Sequence, residues 1–321
     1  MKVMVFDVPA ESGGALSILN QYYDAARADK ENEWIFIVSK PALEPLDNVK
    51  VLNFPWVKKS WLHRMWFDNV YARGLVKKYK PDKIISLQNT MIKQKICYQE
   101  LYVHQALPFS EKRFSLKENK KLWVYQNIIS KMIFYSIKNC DCITVQTKWM
   151  KDAICKKTGV GENKVRVVTP KAIIPENLKY KAGEEVIFFY PAAAQVYKNH
   201  EVIYKAVKEL KMSGCDNFKV YLTINKPGTF SEKYKEIDNL IEFFGYMEKS
   251  KVYELYQKSI LLFPSYIETF GLPLLEARTV GCPVIASDCA FSREIIDGYD
   301  NGNFFDPFNS LQLADQMKKY V

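Results

Sequence analysis

Short apolar runs alternate along this chain with longer stretches whose apolar positions recur every three or four residues. Runs of the first kind fit strands buried on both faces, and the longer stretches fit amphipathic helices. The pattern predicts strands at 3–8, Trp34–Val38, Val49–Phe54, Ile84–Leu87, Glu100–Gln105, Cys142–Gln146 and Val165–Val168. Among them fall a helix carrying Leu16, Leu19, Tyr22, Tyr23 and Ala26, one ending at Lys80-Pro81, a largely apolar helix Lys120–Lys138 read as part of the core, and a helix Lys148–Lys157. Residues 170–184 are Pro-bearing, charged and aperiodic, which marks an interdomain linker. The alternation then restarts with strand Val186–Ala192, helix Glu201–Met212, strands Lys219–Ile224 and Leu240–Tyr246, helix Lys249–Lys258 and strand Ile260–Phe263. A length of 321 residues exceeds the usual size of one core. The expected fold is therefore α/β with two doubly wound parallel sheets: a domain 1–172, a linker 173–184 and a domain 185–321.

One stretch, Leu261–Asp288, carries most of the chemistry. Strand Ile260–Phe263 passes through Pro264-Ser265 into a loop bearing Glu268, then into a helix with Pro273 in its first turn and Gly281 at its end, and a strand Val284–Ala286 follows. Such a unit closes as a right-handed crossover, which places Glu268 at the carboxyl edge of the sheet, where open α/β sheets bind ligands. The N–H groups around Phe270, Gly271 and Leu272 offer a half-positive helix end to an anion, and Glu276 can accept from hydroxyls. A nucleotide-sugar, with hydroxyls at two ends and a diphosphate between, fits that layout. Two such glutamates are as a rule only solvated, so their context matters.

That context is E-T-F-G-L-P-L-L-E-A, preceded by F-P-S and followed by G-C-P-V-I-A-S-D. It resembles the E-x7-E signature of retaining glycosyltransferases of the GT-B type, family 4 (glycosyl transferases group 1), which have two Rossmann-like domains facing a cleft. The resemblance gives meaning to residues that spacing alone leaves open. Gly13 and Gly14, on a plain strand-to-helix turn, would face the diphosphate and the acceptor. His104, at the carboxyl end of the strand E-L-Y-V-H-Q, occupies the place of the family's active-site histidine near the donor sugar, with Gln88, Asn89 and Thr90 at the same edge. Lys198, otherwise an ordinary surface lysine, would lie against the diphosphate. Tyr246 and Met247, with Gly245, mark the nucleobase edge, and Asn225 is a weaker candidate. The chain departs from the pattern at Ala193, where many relatives carry an arginine that completes a two-cation clamp. It also stops in the helix after F-F-D-P, whereas relatives generally continue, so a truncated second domain is expected.

Composition narrows the partners. A formal charge of +10 calls for an anionic one: a phosphate-bearing substrate, a membrane surface or nucleic acid. In W-V-K-K-S-W-L-H-R-M-W-F, Trp56, Trp61 and Trp66 alternate with Lys58, Lys59 and Arg64, which suits either a lipid headgroup layer or an amphipathic helix packed on the core. Seven scattered cysteines form no C-x-x-C pair, so neither a zinc site nor a disulfide framework is indicated, and buried thiols in a reducing cytoplasm are expected. The opening M-K-V-M-V-F-D-V is broken by Asp7 and reads as a strand rather than a signal-peptide core. No D-x-D occurs, so no metal and no cofactor are expected. The reading is transfer of a hexose or deoxyhexose, with retention, from a nucleotide-sugar to a saccharide acceptor. That acceptor is expected on an undecaprenyl-type lipid at the cytoplasmic face of an anionic membrane, as in capsule or lipopolysaccharide synthesis, with no nucleic acid partner. The rivals are a nucleotide-sugar 2-epimerase on the same frame, which needs a different carboxylate set, and a periplasmic-type sugar-binding protein, which needs a secretory signal.

Overall fold

The computed structural model describes residues 1–11, 13–94, 96–172 and 174–321. The chain forms two compact units, Met1–Thr169 and Pro170–Val321. The expected linker is part of the second: the Tyr180 and Lys181 N–H groups donate to the carbonyls of Val280 and Gln257.

The first unit runs β1 (Lys2–Asp7), α1 (Gly13–Ala28), β2 (Glu33–Val38), β3 (Val49–Asn53), α2 (Trp61–Trp66), α3 (Ala72–Tyr79), β4 (Lys83–Ser86), β5 (Tyr98–Tyr102), α4 (Lys120–Val124), α5 (Ser130–Asn139), β6 (Cys142–Val145), α6 (Lys148–Thr158) and β7 (Val165–Val167). Its seven strands are all parallel, in the order β3-β2-β1-β4-β5-β6-β7. Val3 and Val5 of β1 pack with Ile18, Leu19 and Ala26 of α1 on one face. Met4 and Phe6 pack with Phe67, Leu75 and Val76 on the other. Alternate residues of one apolar run thus serve two helix layers, which is why the strand reads as continuous rather than alternating.

The helices start where short polar side chains can accept from their free N–H groups: Ser60 caps α2, Asn119 caps α4 and Thr147 caps α6. A π-helical turn, Phe67–Tyr71, joins α2 to α3, and another, Tyr125–Ile129, joins α4 to α5. The latter carries Gln126, buried and donating to the carbonyls of Leu107 and Lys112. The helix expected in the core over Lys120–Lys138 is therefore a surface element: Ile133 and Ile137 are buried, but Ile128, Met132 and Tyr135 face water. The tryptophans divide too: Trp56 lies in a ring cluster with Phe54, Phe67 and Tyr71, Trp66 packs one side on Trp56 and Tyr71 and exposes the other, and Trp61 is exposed.

The second unit runs β8 (Val186–Tyr190), α7 (His200–Met212), β9 (Phe218–Leu222), α8 (Phe230–Lys233), β10 (Ile241–Phe243), α9 (Lys249–Tyr256), β11 (Ile260–Phe263), α10 (Leu272–Val280), β12 (Val284–Ser287), α11 (Ala290–Ile296), β13 (Gly302–Phe305) and α12 (Ser310–Lys318). Its six strands are parallel, in the order β10-β9-β8-β11-β12-β13. Residues Leu261, Leu262 and Phe263 of β11 are all but fully buried, each worth roughly 2 kcal/mol of burial. Both units are Rossmann-like, as the patterning predicts. In each, strand order reverses once: between β1 and β4 in the first, and between β8 and β11 in the second. The cysteines are free, with Cys140 and Cys282 buried and the other five only half-buried.

Candidate active site

In the second unit the reversal point is where Lys198 and Glu268 meet. Lys198 ends the short helical turn that follows β8, and Glu268 lies in the loop that follows β11, on the neighbouring strand. The Lys198 Nζ donates to Glu268 Oε1, which also accepts from Ser265 Oγ at 2.6 Å. The pair is shielded, the lysine side chain 19% and the glutamate 17% exposed. The framework behind it is tied across the same junction: the Tyr190 hydroxyl donates to the Lys198 carbonyl at 3.0 Å, and the Tyr266 N–H to the Tyr197 carbonyl at 3.1 Å. Asn199, in the left-handed region at φ 58°, donates its amide to the carbonyls of Pro264 and Pro307. Ser265, read from sequence as a turn residue, is thus a direct partner of Glu268.

Beside this pair, Gly271 caps α10 at φ 96°, where a Cβ would lie 3.2 Å from Leu274 Cδ1 and 3.4 Å from Phe263 Cζ. Only glycine suits that conformation and that space. Pro273 in the first turn has no N–H, and the Leu274 N–H is taken by the Gly271 carbonyl, so the end of α10 presents its N–H groups through Gly271 and Leu272. Phe270, just before, is buried and packs the loop down. Inside α10, Glu276 is also buried. Its Oε2 accepts from the Tyr256 hydroxyl at 3.2 Å, and Lys249 stands 3.4 Å from its Oε1. Burial raises its pKa, which the nearby Lys249 ammonium opposes. Tyr256 and Lys249 were missed in the sequence, since nothing local says that the two ends of α9 reach α10.

The proposed nucleobase edge is shorter than expected. The strand predicted over Leu240–Tyr246 is confined to Ile241–Phe243, and Gly245, at φ 68°, turns the chain out. The Asn225 Oδ1 lies 2.9 Å from where a Gly245 Cβ would stand, and both residues line an open cavity of about 760 Å³ together with Lys226, Asp238, Phe243 and Phe244. Tyr246 projects into solvent, 91% exposed, and Met247 is half-buried.

In the first unit, Gly13 opens α1 at φ 61° and Gly14 follows it, both exposed at the carboxyl edge of β1, where a Cβ on either would meet nothing within 4 Å. Ser12 lies outside the described residues. His104 stands two residues beyond the end of β5 rather than within the strand as predicted. Its N–H donates to Asn89 Oδ1 at 2.8 Å, and its Nε2 is 2.8 Å from the Leu87 carbonyl. A carbonyl only accepts, so Nε2 carries the proton, and burial holds the imidazole pKa below its ordinary value. The neutral ring then presents Nδ1 as an acceptor. Asp7, at the end of β1, is buried, neither oxygen makes a well-formed hydrogen bond among the described residues, and burial pushes its pKa up to about 7 against the opposing pull of the Ala10 N–H and the Arg64 and Lys58 charges. Groups of three or more His, Cys, Asp or Glu side chains able to hold a metal ion are absent among the described residues.

The family described as glycosyl transferases group 1 matches residues 171–321. The chain is 33% identical over 116 residues to a probable sucrose-phosphate synthase 1 of Craterostigma plantagineum, covering 35% of this chain and 10% of that protein. It is 24% identical over 204 residues to the O-antigen chain mannosyltransferase RfbU of Salmonella typhimurium, covering 62% and 54%. The chain therefore spans from about a tenth to about half the length of these two relatives. Among solved structures, sucrose-phosphate synthase of Thermosynechococcus elongatus superposes with TM-score 0.76 at 15% identity, covering 99% of this chain and 89% of the other. WaaG, a glycosyltransferase involved in lipopolysaccharide biosynthesis, gives 0.73 at 13%, covering 100% and 90%. Anabaena HepE in complex with UDP and glucose gives 0.68 at 14%, covering 99% and 89%. Residues 171–321 thus match glycosyl transferases group 1, and the chain has the two-domain Rossmann-like fold of GT-B glycosyltransferases.

Proposed function

We propose that this protein is a retaining glycosyltransferase that moves a hexose or deoxyhexose from a nucleoside-diphosphate sugar to a hydroxyl of a saccharide acceptor. The observation that carries the reading is the shielded Lys198–Glu268 pair at the reversal point of the second sheet, beside the N-terminus of α10. An arriving diphosphate competes for the lysine: its oxygens take the Nζ and the N–H groups of Gly271 and Leu272, and Glu268 is freed to accept from sugar hydroxyls. As the bond from the anomeric carbon to the diphosphate oxygen breaks, charge grows on that oxygen where these donors already point. The acceptor oxygen attacks from the same face, and its proton passes to the departing phosphate. Glu276 holds the ribose. No metal and no protein nucleophile has a role in this scheme.

The relatives favour a surface glycan as the product: RfbU is a mannosyltransferase of O-antigen chains, and WaaG acts in lipopolysaccharide biosynthesis. We extend that to a lipid-linked acceptor at the inner membrane face, and the UDP and glucose held by HepE make UDP-sugars the first donors to try. A thermal-shift screen against UDP, GDP, dTDP and their sugars tests the reading. A ligand at about 100 times its Kd stabilises the folded state by about 2.7 kcal/mol, a Tm rise of roughly 5–10 °C for a unit of this size. No shift with any of them would overturn it.

A further inference from the structure

The charge of the chain is unevenly divided. Residues 1–169 hold 28 Lys and Arg against 16 Asp and Glu, a net +12, whereas residues 170–321 hold 18 against 20, a net −2. Within the first unit the excess gathers on two crossovers. Residues 54–82, from β3 to β4, contain seven basic residues and two acids, of which Asp68 is ion-paired with Arg64 at 2.6 Å. Residues 103–141, from β5 to β6, contain seven basic residues and three acids, and the helical part 119–140 holds four lysines and no acid.

Both crossovers lie on one face of the sheet. The path from β3 to β4 and the path from β5 to β6 each move along the strand order in the same direction, and right-handed connections then put α2–α3 and α4–α5 in one layer. The outer side of that layer is apolar where a monomer's surface should be polar. Trp61 is 60% exposed, Leu62 71%, Met65 37%, Trp66 50% and Val70 55%, an i, i+4 progression along α2 and the π turn after it. Ile128, Met132 and Tyr135, at 47%, 37% and 52%, form a second stripe on the π turn before α5 and on α5 itself. Exposed lysines and arginine border both stripes: Lys59 and Arg73 on the first, Lys120, Lys121, Lys131 and Lys138 on the second.

We propose that this helix layer is a docking surface for an anionic lipid bilayer, with Trp61, Trp66 and Tyr135 as interfacial anchors. Aromatic rings with a polar edge settle at the headgroup level, apolar neighbours enter the acyl boundary, and a basic rim adds attraction to negative lipid. No helix among the described residues is long and apolar enough to cross a membrane, so the face lies in the interface plane. The proposal does not rest on the transfer chemistry, since the surface needs neither donor nor acceptor.

Sedimentation of the full chain with vesicles tests it. The chain should pellet with phosphatidylcholine mixed with phosphatidylglycerol, much less with phosphatidylcholine alone, and less at high salt. Trp61→Ser with Trp66→Ser should weaken binding by about tenfold or more, and Lys120→Ser with Lys121→Ser by roughly fivefold per lysine. The lysine variant should leave Tm unchanged; Trp66 rests on Trp56 and Tyr71 with ring centroids 5.5 Å away, so binding by the tryptophan variant is measured well below its own Tm, and a Met132→Ser, Tyr135→Ser pair tests the second stripe by itself. Failure of the wild-type chain to bind anionic vesicles, or equal binding by wild type and all three variants, would overturn the proposal.

Discussion

Replacing Lys198 by Met keeps the aliphatic stem and removes the ammonium, which separates two roles that the Lys198–Glu268 pair could serve. A fully buried pair broken on one side costs about 3–5 kcal/mol. Here both side chains keep nearly a fifth of their surface and Glu268 retains the Ser265 hydroxyl, so roughly 1–3 kcal/mol is expected, a fall in Tm of about 3–10 °C. If the lysine also receives charge on the departing diphosphate, kcat should fall by about 10²–10³. The double variant Lys198→Met, Glu268→Gln decides between them, because it removes the stranded carboxylate and should recover most of the lost stability without recovering turnover. The assay is release of nucleoside diphosphate from the donor that the thermal-shift screen identifies, measured well below the Tm of the weakest variant. Turnover that returns together with Tm in the double variant, or a Lys198→Met kcat within threefold of wild type, would refute a catalytic lysine.

Three further outcomes follow from the geometry. Gly271→Ala forces a Cβ into a φ 96° backbone 3.2 Å from Leu274, so calorimetry should show a loss of roughly 1–3 kcal/mol and donor binding should weaken with it. Tyr256→Phe removes the hydroxyl that donates to buried Glu276, and donor KM should rise about three- to tenfold with kcat nearly unchanged, as expected of a group that positions the ribose partner. Asp7 has a folded pKa of about 7, raised by burial above its ordinary value of 3.8, so its contribution is complete below the ordinary value and is lost progressively as pH rises from there to about 7. Asp7→Asn should therefore gain on wild type by roughly 1.4 kcal/mol per pH unit between about pH 4 and pH 7 and level off above 7, and a stability difference that is the same at about pH 5 and pH 8 would contradict it.

The fold was legible because parallel strands covered on both faces must be apolar throughout, so β1, β2 and β11 announce themselves as unbroken runs. Strand ends were less legible, since a ladder stops where the partner stops. Phe244 and Gly245 still donate to Leu222 and Ile224, yet the positive φ of Gly245 ends β10 before the apolar residues run out. The helix Lys120–Lys138 lies at the surface despite its apolar content because its apolar residues are spread over both sides, Ile133 and Ile137 inward and Ile128, Met132 and Tyr135 outward. Gln126 is buried there and Ile128 exposed, an inversion made by the π turn and by the loop carbonyls that Gln126 serves.

The site was legible residue by residue but not as a set of contacts. Local signals placed Lys198 after one strand and Glu268 after another, 70 residues apart. What joins them is the order β9-β8-β11-β12: the chain winds outward from β8, crosses back and lays β11 against the first strand it made. The buried carboxylate Glu276 meets Tyr256 and Lys249 for a similar reason, across a helix pair that no motif records. In the first unit the reversal brings β1 beside β4, so Asp7 and Gln88 stand at the ends of neighbouring strands, each with buried oxygen that makes no well-formed hydrogen bond among the described residues. Asp7 entered the sequence reading only as an interruption of an apolar run. A polar residue that breaks a strand's pattern at its carboxyl end, next to the point where strand order reverses, is a better guide to a site than its local context allows, because the reversal is where a sheet leaves room beside its strand ends.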